Sequence, residues 1–349
     1  MVVSQFLGAK DHREAQEAVH TSLAIAVIMG LLLTVGGIAC GRALLVAMNT
    51  PAEVLGDAVI YIRIYFGGVL FSVVYNMTAG ILNAAGNSRR SLIYLAWASV
   101  TNIVLDLVFI INFHWGCAGA AWATVISQGV SCLWVVSFLR GKKTSLRLKK
   151  ENLKINWKLI LPCLALGLST FIMQSTESII SVCFNSSLLK YGGDIAVGAM
   201  TILTSVMQFA MLPLQGLAQG AQPISSYNFG AKNASRVKET FFALLKSSLT
   251  YSVLLWAGIM LFPKVFAGIF TPDAELLAFT AKALRIYCGA LFIFGIQIAC
   301  QMTFVSIGNA PCSIIVAILR KFVLLIPLIF ILPHILPDPT MAVYTAEPV

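Results

Sequence analysis

Two carboxylic acids, Asp106 and Glu177, lie in the middle of long apolar stretches of this chain. A charged side chain is costly in hydrocarbon, so an acid at such a position indicates a functional site by default. Burial disfavours the ionised form of a carboxyl group, and such a group can bind and release a proton or exchange it for a cation. Both acids are therefore candidates for cation or proton coupling.

Asn102 lies four residues before Asp106, which places the two side chains on one face of a helix. The amide could share a bound cation with the carboxylate, or it could hold the carboxyl group in place. The pair is a candidate Na⁺ site, and no metal site is firmly predicted. The alternative is that Asp106 is a neutral, hydrogen-bonded packing residue.

Glu177 belongs to a polar stripe that recurs at helical spacings of three and four, and the next apolar stretch carries a similar one. Lipid cannot satisfy such groups, so both stripes are expected to face partner helices or a water-filled cavity. Methionines border the stripes, and flexible thioethers suit a pocket for varied apolar ligands. The alternative is that these residues only join and pack helices. The candidate substrate-cavity residues are Met173, Gln174, Ser181, Thr204, Met207, Gln208 and Gln215.

Composition indicates that membrane-spanning helices position these side chains. The 349 residues are 58% hydrophobic and 11% charged, with a mean hydropathy of +0.87. Soluble domains carry about 25% charged residues, so we predict an all-α polytopic membrane protein. The net charge of +10 then reports topology rather than nucleic-acid binding. The eight cysteines lack CxxC spacing and are predicted to pack in the apolar runs without binding metal.

A span needs roughly twenty apolar residues, and the chain contains nine such stretches, followed by a tenth that begins near Met341. The predicted spans are 18–40, 55–82, 91–113, 118–139, 159–184, 196–222, 240–262, 284–306 and 312–334.

Basic residues predict the orientation of these spans. Alternate loop segments, together with Arg320 and Lys321, hold 18 of the 24 Lys and Arg residues, which places those loops in the cytoplasm of a multi-pass plasma (inner) membrane protein. The densest basic segment, 140–158, is predicted to be a cytoplasmic linker. Arg320 and Lys321, near the start of the last span, are predicted to reach back to the cytoplasmic surface.

The chain also repeats itself. Segment 4–10 reads SQFLGAK and segment 226–232 reads SYNFGAK, 222 positions later, and further matches continue in the same register. Six predicted spans separate the two segments, so the repeats enter the membrane from the same side and are parallel. We therefore predict a lobe over 1–139, the linker 140–158 and a second lobe over 159–349. Compared with the second lobe, the first lobe lacks two helices at its start. Compared with the first lobe, the second lobe lacks most of one helix at its end.

Several stretches resemble the multidrug and toxic compound extrusion (MATE) family, in particular its bacterial MepA-like branch. They are 4–11, 86–87, 102–106, 116–128, 198–232 and 308–311, and 198–232 is the most specific. The resemblance implies two parallel six-helix bundles, of which about nine complete helices are present here. It also implies an antiporter that expels amphipathic, often cationic drugs or toxins in exchange for H⁺ or Na⁺ by alternating access.

The resemblance further implies roles for individual residues. Asn102 and Asp106 match the fifth-helix pair of the family's amino-lobe coupling site, whereas the first-helix acid of that site has no counterpart. Glu177 matches the seventh-helix glutamate of the carboxyl lobe. Some relatives place an acid on the tenth helix, but 284–306 contains none, which argues against sodium coordination in that lobe.

Two other functions compete with antiport. One is a flippase of lipid-linked oligosaccharides from the same superfamily, which would favour a basic, hydrophilic cavity. The other is a non-transporting fragment or membrane interaction protein. The sequence contains no Walker motif, Gly-rich nucleotide loop or His/Cys cluster. We therefore expect no enzyme activity, no ATP, no nucleic-acid partner and no cofactor besides the coupling ion.

Overall fold

The computed structural model describes residues 1–48, 50–141, 146 and 157–348, and every regular element in these ranges is helical. The α-helices, in chain order, are α1 (Val2–Gly8), α2 (His12–Ala47), α3 (Ala52–Ala84), α4 (Ser88–Leu107), α5 (Gly116–Arg140), α6 (Trp157–Gly230), α7 (Ala234–Leu261), α8 (Pro263–Gly268), α9 (Ala274–Tyr287), α10 (Phe294–Ser306), α11 (Ala310–Ile318), α12 (Ile326–Ile335) and α13 (Pro339–Thr345). Two π-helical segments, Val108–Asn112 and Leu319–Leu325, continue α4 and α11.

The described helices account for nine membrane spans. Seven helices are long and apolar enough to cross a membrane, and the pair Ala274–Tyr287 and Leu291–Ser306, bent by 48°, makes an eighth. One of the seven, Gln174–Gly230, has 57 residues, or about 85 Å of helix, nearly three times the apolar thickness of a bilayer. It contains Gly193, whose φ of 63° and ψ of −157° are not helical and suit glycine almost alone. This glycine therefore divides α6 into two spans.

The sequence repeat is matched by a repeat of local structure. Lys10 and Lys232 both adopt the left-handed conformation, with φ of 60° and 56°. Asp11 and Asn233 follow them, and each side chain accepts a hydrogen bond from the backbone N–H three residues on, at 3.0 and 3.1 Å. Such bonds satisfy N–H groups that a helix start leaves without partners. The helices α2 and α7 thus begin in the same way.

The described chain divides into two compact units. One holds Val2–Cys163, and the other holds Met1 and Leu164–Val349. In the first unit α3 packs against α2 and α5, and α5 also packs against α4. The predicted linker 140–158 lies mostly outside the described residues, and the predicted bounds of the two lobes stay a prediction.

The second unit packs around a core contributed by α6, α7, α9, α12 and α13. Phe184, Leu203, Ile259 and Tyr344 are all completely buried in it. The Tyr344 hydroxyl donates a hydrogen bond of 2.7 Å to the Ala196 carbonyl oxygen. A buried hydroxyl without a partner would be costly, so this bond lets a polar tip lie in an apolar core and fixes α13 against α6.

Gly295 is the point of closest approach between α10 and α7. A Cβ atom there would lie 2.5 Å from the Ser248 carbonyl oxygen and 2.7 Å from the Leu249 nitrogen. Backbone atoms cannot rotate away as a side chain can. We expect Gly295→Ala to separate the two helices and to lower the free energy of unfolding by about 2–3 kcal/mol, measured by thermal unfolding in detergent.

Gly216, within α6, is the matched control, because a Cβ there would meet nothing within 4 Å. Gly216→Ala should leave stability unchanged or raise it slightly, since alanine favours the helix. Equal unfolding temperatures for the two variants would show that the α7–α10 approach does not limit packing.

Candidate functional site

The first unit positions Asn102 and Asp106 one helical turn apart near the end of α4, where both are half-buried. The Nδ2 atom of Asn102 and the Oδ1 atom of Asp106 are buried, and neither has a hydrogen-bond partner among the described residues. Polar atoms buried without a partner are uncommon in folded proteins and call for an explanation. The pair therefore has the character of a site that a proton, a cation or water completes.

The chemistry of this pair fits a coupling cation. A carboxylate oxygen is a ligand for H⁺ and for hard metal ions. Rotation of the Asn102 amide by 180° exchanges its nitrogen for its oxygen, so the amide can either donate to the Asp106 carboxylate or add a second oxygen ligand. Among the described residues, no three His, Cys, Asp or Glu side chains form a cluster that could hold a metal ion.

A π-helical segment begins two residues after Asp106 and spans Val108–Asn112. Such segments interrupt the regular hydrogen bonding of an α-helix and are frequent at functional sites. The second unit also contains one, Leu319–Leu325, and it carries two basic residues, Arg320 and Lys321. In each unit a π-helical segment therefore adjoins or contains intramembrane charge.

In the second unit, the Lys321 ammonium group donates a hydrogen bond to Oε1 of Glu177 on α6. The Lys321 side chain is only 11% exposed, while that of Glu177 is 60% exposed within its unit. The prediction that Lys321 reaches back to the cytoplasmic surface is therefore wrong. The nearby carboxylate attracts the buried ammonium group more strongly than a distant membrane surface does, because low polarity around the lysine strengthens the interaction.

Arg320 has a different partner, and the prediction for it is wrong as well. Its Nη2 atom donates to Oε1 of Glu347 at 3.0 Å. Its guanidinium carbon also lies 4.9 Å from the centre of the Phe294 ring, a favourable arrangement of cation and aromatic face. Two basic and two acidic side chains thus form two ion pairs inside one unit.

The second of these ion pairs, Arg320 with Glu347, lines a cavity of about 310 Å³ within the second unit. Its lining is mostly apolar, and Oε1 of Gln297 is buried there without a hydrogen-bond partner among the described residues. The size and lining are typical of a site for a small organic molecule. The lining residues are Met207, Tyr287, Ala290, Leu291, Ile293, Phe294, Gln297, Arg320, Leu324, Leu325, Leu328, Ala346, Glu347 and Pro348.

The predicted cavity residues are placed differently from one another. Met207 lines this cavity, and its sulfur lies 3.7 Å from Cys288 Sγ. Thr204 bonds within its own helix, donating to Met200 O and Thr201 O at 3.0 and 2.9 Å. Among the predicted cavity residues, four have side chains that are exposed within the unit: Gln174, Ser181, Gln208 and Gln215. The side chain of Met173 lies outside the described residues.

Sequence reasoning missed the partners Lys321, Arg320 and Glu347. A signal was present, because Arg320 lies nine residues into the apolar span Pro311–Ile335. That depth is about 13 Å, so the rule that intramembrane charge marks function applied to the basic residues as well as to the acids. Asp106 and Glu177 lie in separate units.

Comparison with known proteins gives consistent matches. A family model described as MatE matches residues 1–108 and 169–331. The multidrug export protein MepA of Staphylococcus aureus (strain NCTC 8325 / PS 47) is 23% identical over 330 residues, which are 95% of this chain and 72% of that protein.

Solved structures match over almost the whole chain. An outward-facing multidrug resistance MATE family transporter of the MOP superfamily has a TM-score of 0.93 at 24% identity, over 100% of this chain and 78% of that one. A MOP superfamily transporter from Pyrococcus furiosus, whose reverse binding-pocket polarity suggests a different function, has a TM-score of 0.92 at 23% identity, over 99% and 78%. These likenesses confirm the predicted fold class.

Proposed function

This chain belongs to the MatE family, and from that premise we propose that it is a secondary active multidrug antiporter. It exports amphipathic, often cationic compounds in exchange for H⁺ or Na⁺ by alternating access. The observation that carries the proposal is the buried Asp106 carboxylate oxygen, which lies beside Asn102 without a protein partner among the described residues. The multidrug export proteins among the relatives support the substrate class.

Asp106 couples the two fluxes through electrostatics. An ionised carboxylate in an apolar span is costly when it is unpaired. A cation bound there leaves at low cost only when another positive charge replaces it or when the site faces water. The amide of Asn102 holds the carboxyl group in place or contributes an oxygen to a bound Na⁺. This exchange of charges at one site is what makes inward movement of the coupling ion drive outward movement of the substrate.

Glu177 supplies a second negative charge, in the other unit. Its exposed side chain is accessible to a ligand on the side that its own unit leaves open. The predicted cavity residues of α6 accompany it: Gln174, Ser181, Gln208 and Gln215 offer hydrogen bonds, while Met207 offers an adaptable apolar contact. Such a surface suits amphipathic molecules of varied shape.

The protein is a multi-pass membrane protein, and we place it in the plasma (inner) membrane of the cell, with the basic loops, including 140–158, in the cytoplasm. It functions as a transporter without enzyme activity. The ion gradient supplies the energy, and the partners are drugs or toxins and the lipid bilayer, without nucleic acid or ATP.

A lipid-linked oligosaccharide flippase is the second candidate. Arg320 at the cavity favours it, because a phosphate-bearing substrate needs a basic group. The same arginine is paired with Glu347 at 3.0 Å, which offsets its charge and leaves little net attraction for phosphate. Complementation of a strain defective in polysaccharide export would support the flippase.

Transport in reconstituted vesicles tests the antiporter. We expect an imposed pH or Na⁺ gradient to drive ethidium into vesicles that contain the protein, at about ten times the rate of protein-free vesicles, because the gradient supplies about 1.4 kcal/mol per pH unit. An ionophore that collapses the effective gradient should stop the uptake, and added ATP should not restore it. Uptake that is the same with and without either gradient would contradict antiport.

A further inference from the structure

The pairing of Lys321 with Glu177 gives Glu177 a counter-ion that belongs to the chain itself. The ammonium group donates to the carboxylate across 144 positions of sequence. The Lys321 side chain is largely buried, with 11% of it exposed, whereas the Glu177 side chain is 60% exposed. Because a bare carboxylate facing lipid would be costly, the open side of Glu177 must meet protein, water or a ligand.

The surrounding charges show why Lys321 stays with Glu177. The basic residue before Lys321 in the sequence, Arg320, is engaged by Glu347 at 3.0 Å and by the Phe294 ring at 4.9 Å. Each acid therefore has one base, and the cluster is neutral in sum. A cation that approaches Glu177 meets a carboxylate whose charge is already balanced, so it must compete with the ammonium group.

We propose that Lys321 is the resident counter-cation of Glu177, and that a lipophilic cation binds Glu177 by displacing the Lys321 ammonium group. The inference rests on the antiporter proposed above and adds a selectivity element to its second unit.

Displacement selects for a class of substrate. Small inorganic cations are strongly hydrated and gain little from an apolar lining. A lipophilic organic cation also gains apolar contacts, such as those that Met207 and Phe294 offer in the cavity lined by Arg320 and Glu347. Only a cation that gains such contacts offsets the loss of the internal ion pair. Competition from Lys321 therefore prevents cations that have no apolar part from binding to Glu177.

Binding of tetraphenylphosphonium to the purified protein, measured by calorimetry, is the first test. We expect Lys321→Gln to raise the affinity about tenfold, because the internal competitor is removed. Lys321→Arg, which keeps the competing charge, should remain within about threefold of the unaltered protein. Lys264→Gln removes the same charge from an exposed position on α8 and should change nothing. Unchanged or weaker binding by Lys321→Gln overturns the proposal, as does a failure of both proteins to bind.

A second test needs no substitution and so does not depend on the folding of a variant. Acetic anhydride acetylates lysines that are accessible and not engaged in an ion pair, and mass spectrometry gives the rate for each residue. Saturating tetraphenylphosphonium should speed acetylation of Lys321 by about threefold or more, as expected when an ion-pair partner is lost. Lys264, at an exposed position on α8, serves as the internal reference and should not respond.

The outcomes separate this inference from the proposed function. An unchanged Lys321 acetylation rate overturns displacement, whatever the vesicles transport. Conversely, the Lys321 acetylation rate could rise with tetraphenylphosphonium while ethidium uptake is independent of the gradient. That result would contradict the antiporter but support the exchange of counter-ions at Glu177.

Discussion

Asp106→Asn is expected to lose gradient-driven export, with a fall of about tenfold or more to the rate of protein-free vesicles, because an amide cannot hold the charge that the exchange requires. The substitution preserves shape almost completely. It also removes the charge from a position where Oδ1 is buried without a protein partner among the described residues. The variant should therefore fold at least as well as the unaltered protein while it transports nothing. Ethidium uptake driven by an imposed gradient is the measurement.

The control is Asp57→Asn, which makes the same chemical change in the same unit at an exposed position near the start of α3. Transport by that variant should be close to that of the unaltered protein. If Asp106→Asn still concentrates ethidium under a gradient, Asp106 is not the coupling residue. If both variants lose transport equally, the loss reflects charge at the membrane surface.

The sequence was sufficient to predict the architecture, because hydropathy and local geometry are short-range properties. The predicted span 118–139 appears as α5, Gly116–Arg140. The repeated Gly-Ala-Lys segments lead into helices with matching caps at Asp11 and Asn233. Each of these features depends on residues within a few positions of one another. A single chain therefore contains the information to predict them.

The electrostatic partners could not be predicted in the same way. Glu177 and Lys321 are 144 positions apart, and their contact depends on how α6 and the π-helical segment Leu319–Leu325 are rotated about their axes. A π-helical turn shifts the direction of the following side chains, so helical spacing counted from Pro311 does not give the direction of Lys321. The pairing of Arg320 with Glu347 depends likewise on where α13 packs. Hydropathy alone led instead to the wrong prediction that both bases reach the membrane surface.

Glu177→Gln is expected to lower the free energy of unfolding by about 3 kcal/mol, the lower end of what removal of one partner from a buried ion pair costs. The lower end applies because the Glu177 side chain is itself 60% exposed, while Lys321, which loses its partner, is 11% exposed. The cost arises from the lysine, whose charge stays in an apolar environment. Thermal unfolding in detergent, calibrated with a second denaturant, measures it.

The double variant Glu177→Gln/Lys321→Met distinguishes this cause from simple loss of packing. Methionine keeps the apolar stem of the lysine and removes its charge, so most of the lost stability should return. Glu347→Gln offers a comparison within the same cluster. It leaves Arg320 unpaired, but the Arg320 side chain is 31% exposed and stays against the Phe294 ring. Glu347→Gln should therefore lower the free energy of unfolding by less than Glu177→Gln does. Equal losses for Glu177→Gln and the double variant would show that the buried lysine does not need Glu177. If Lys321 is not stabilised by Glu177, it would not compete with an arriving cation for that carboxylate. The stability measurements and the tetraphenylphosphonium binding measurements therefore both test the strength of the Lys321–Glu177 ion pair.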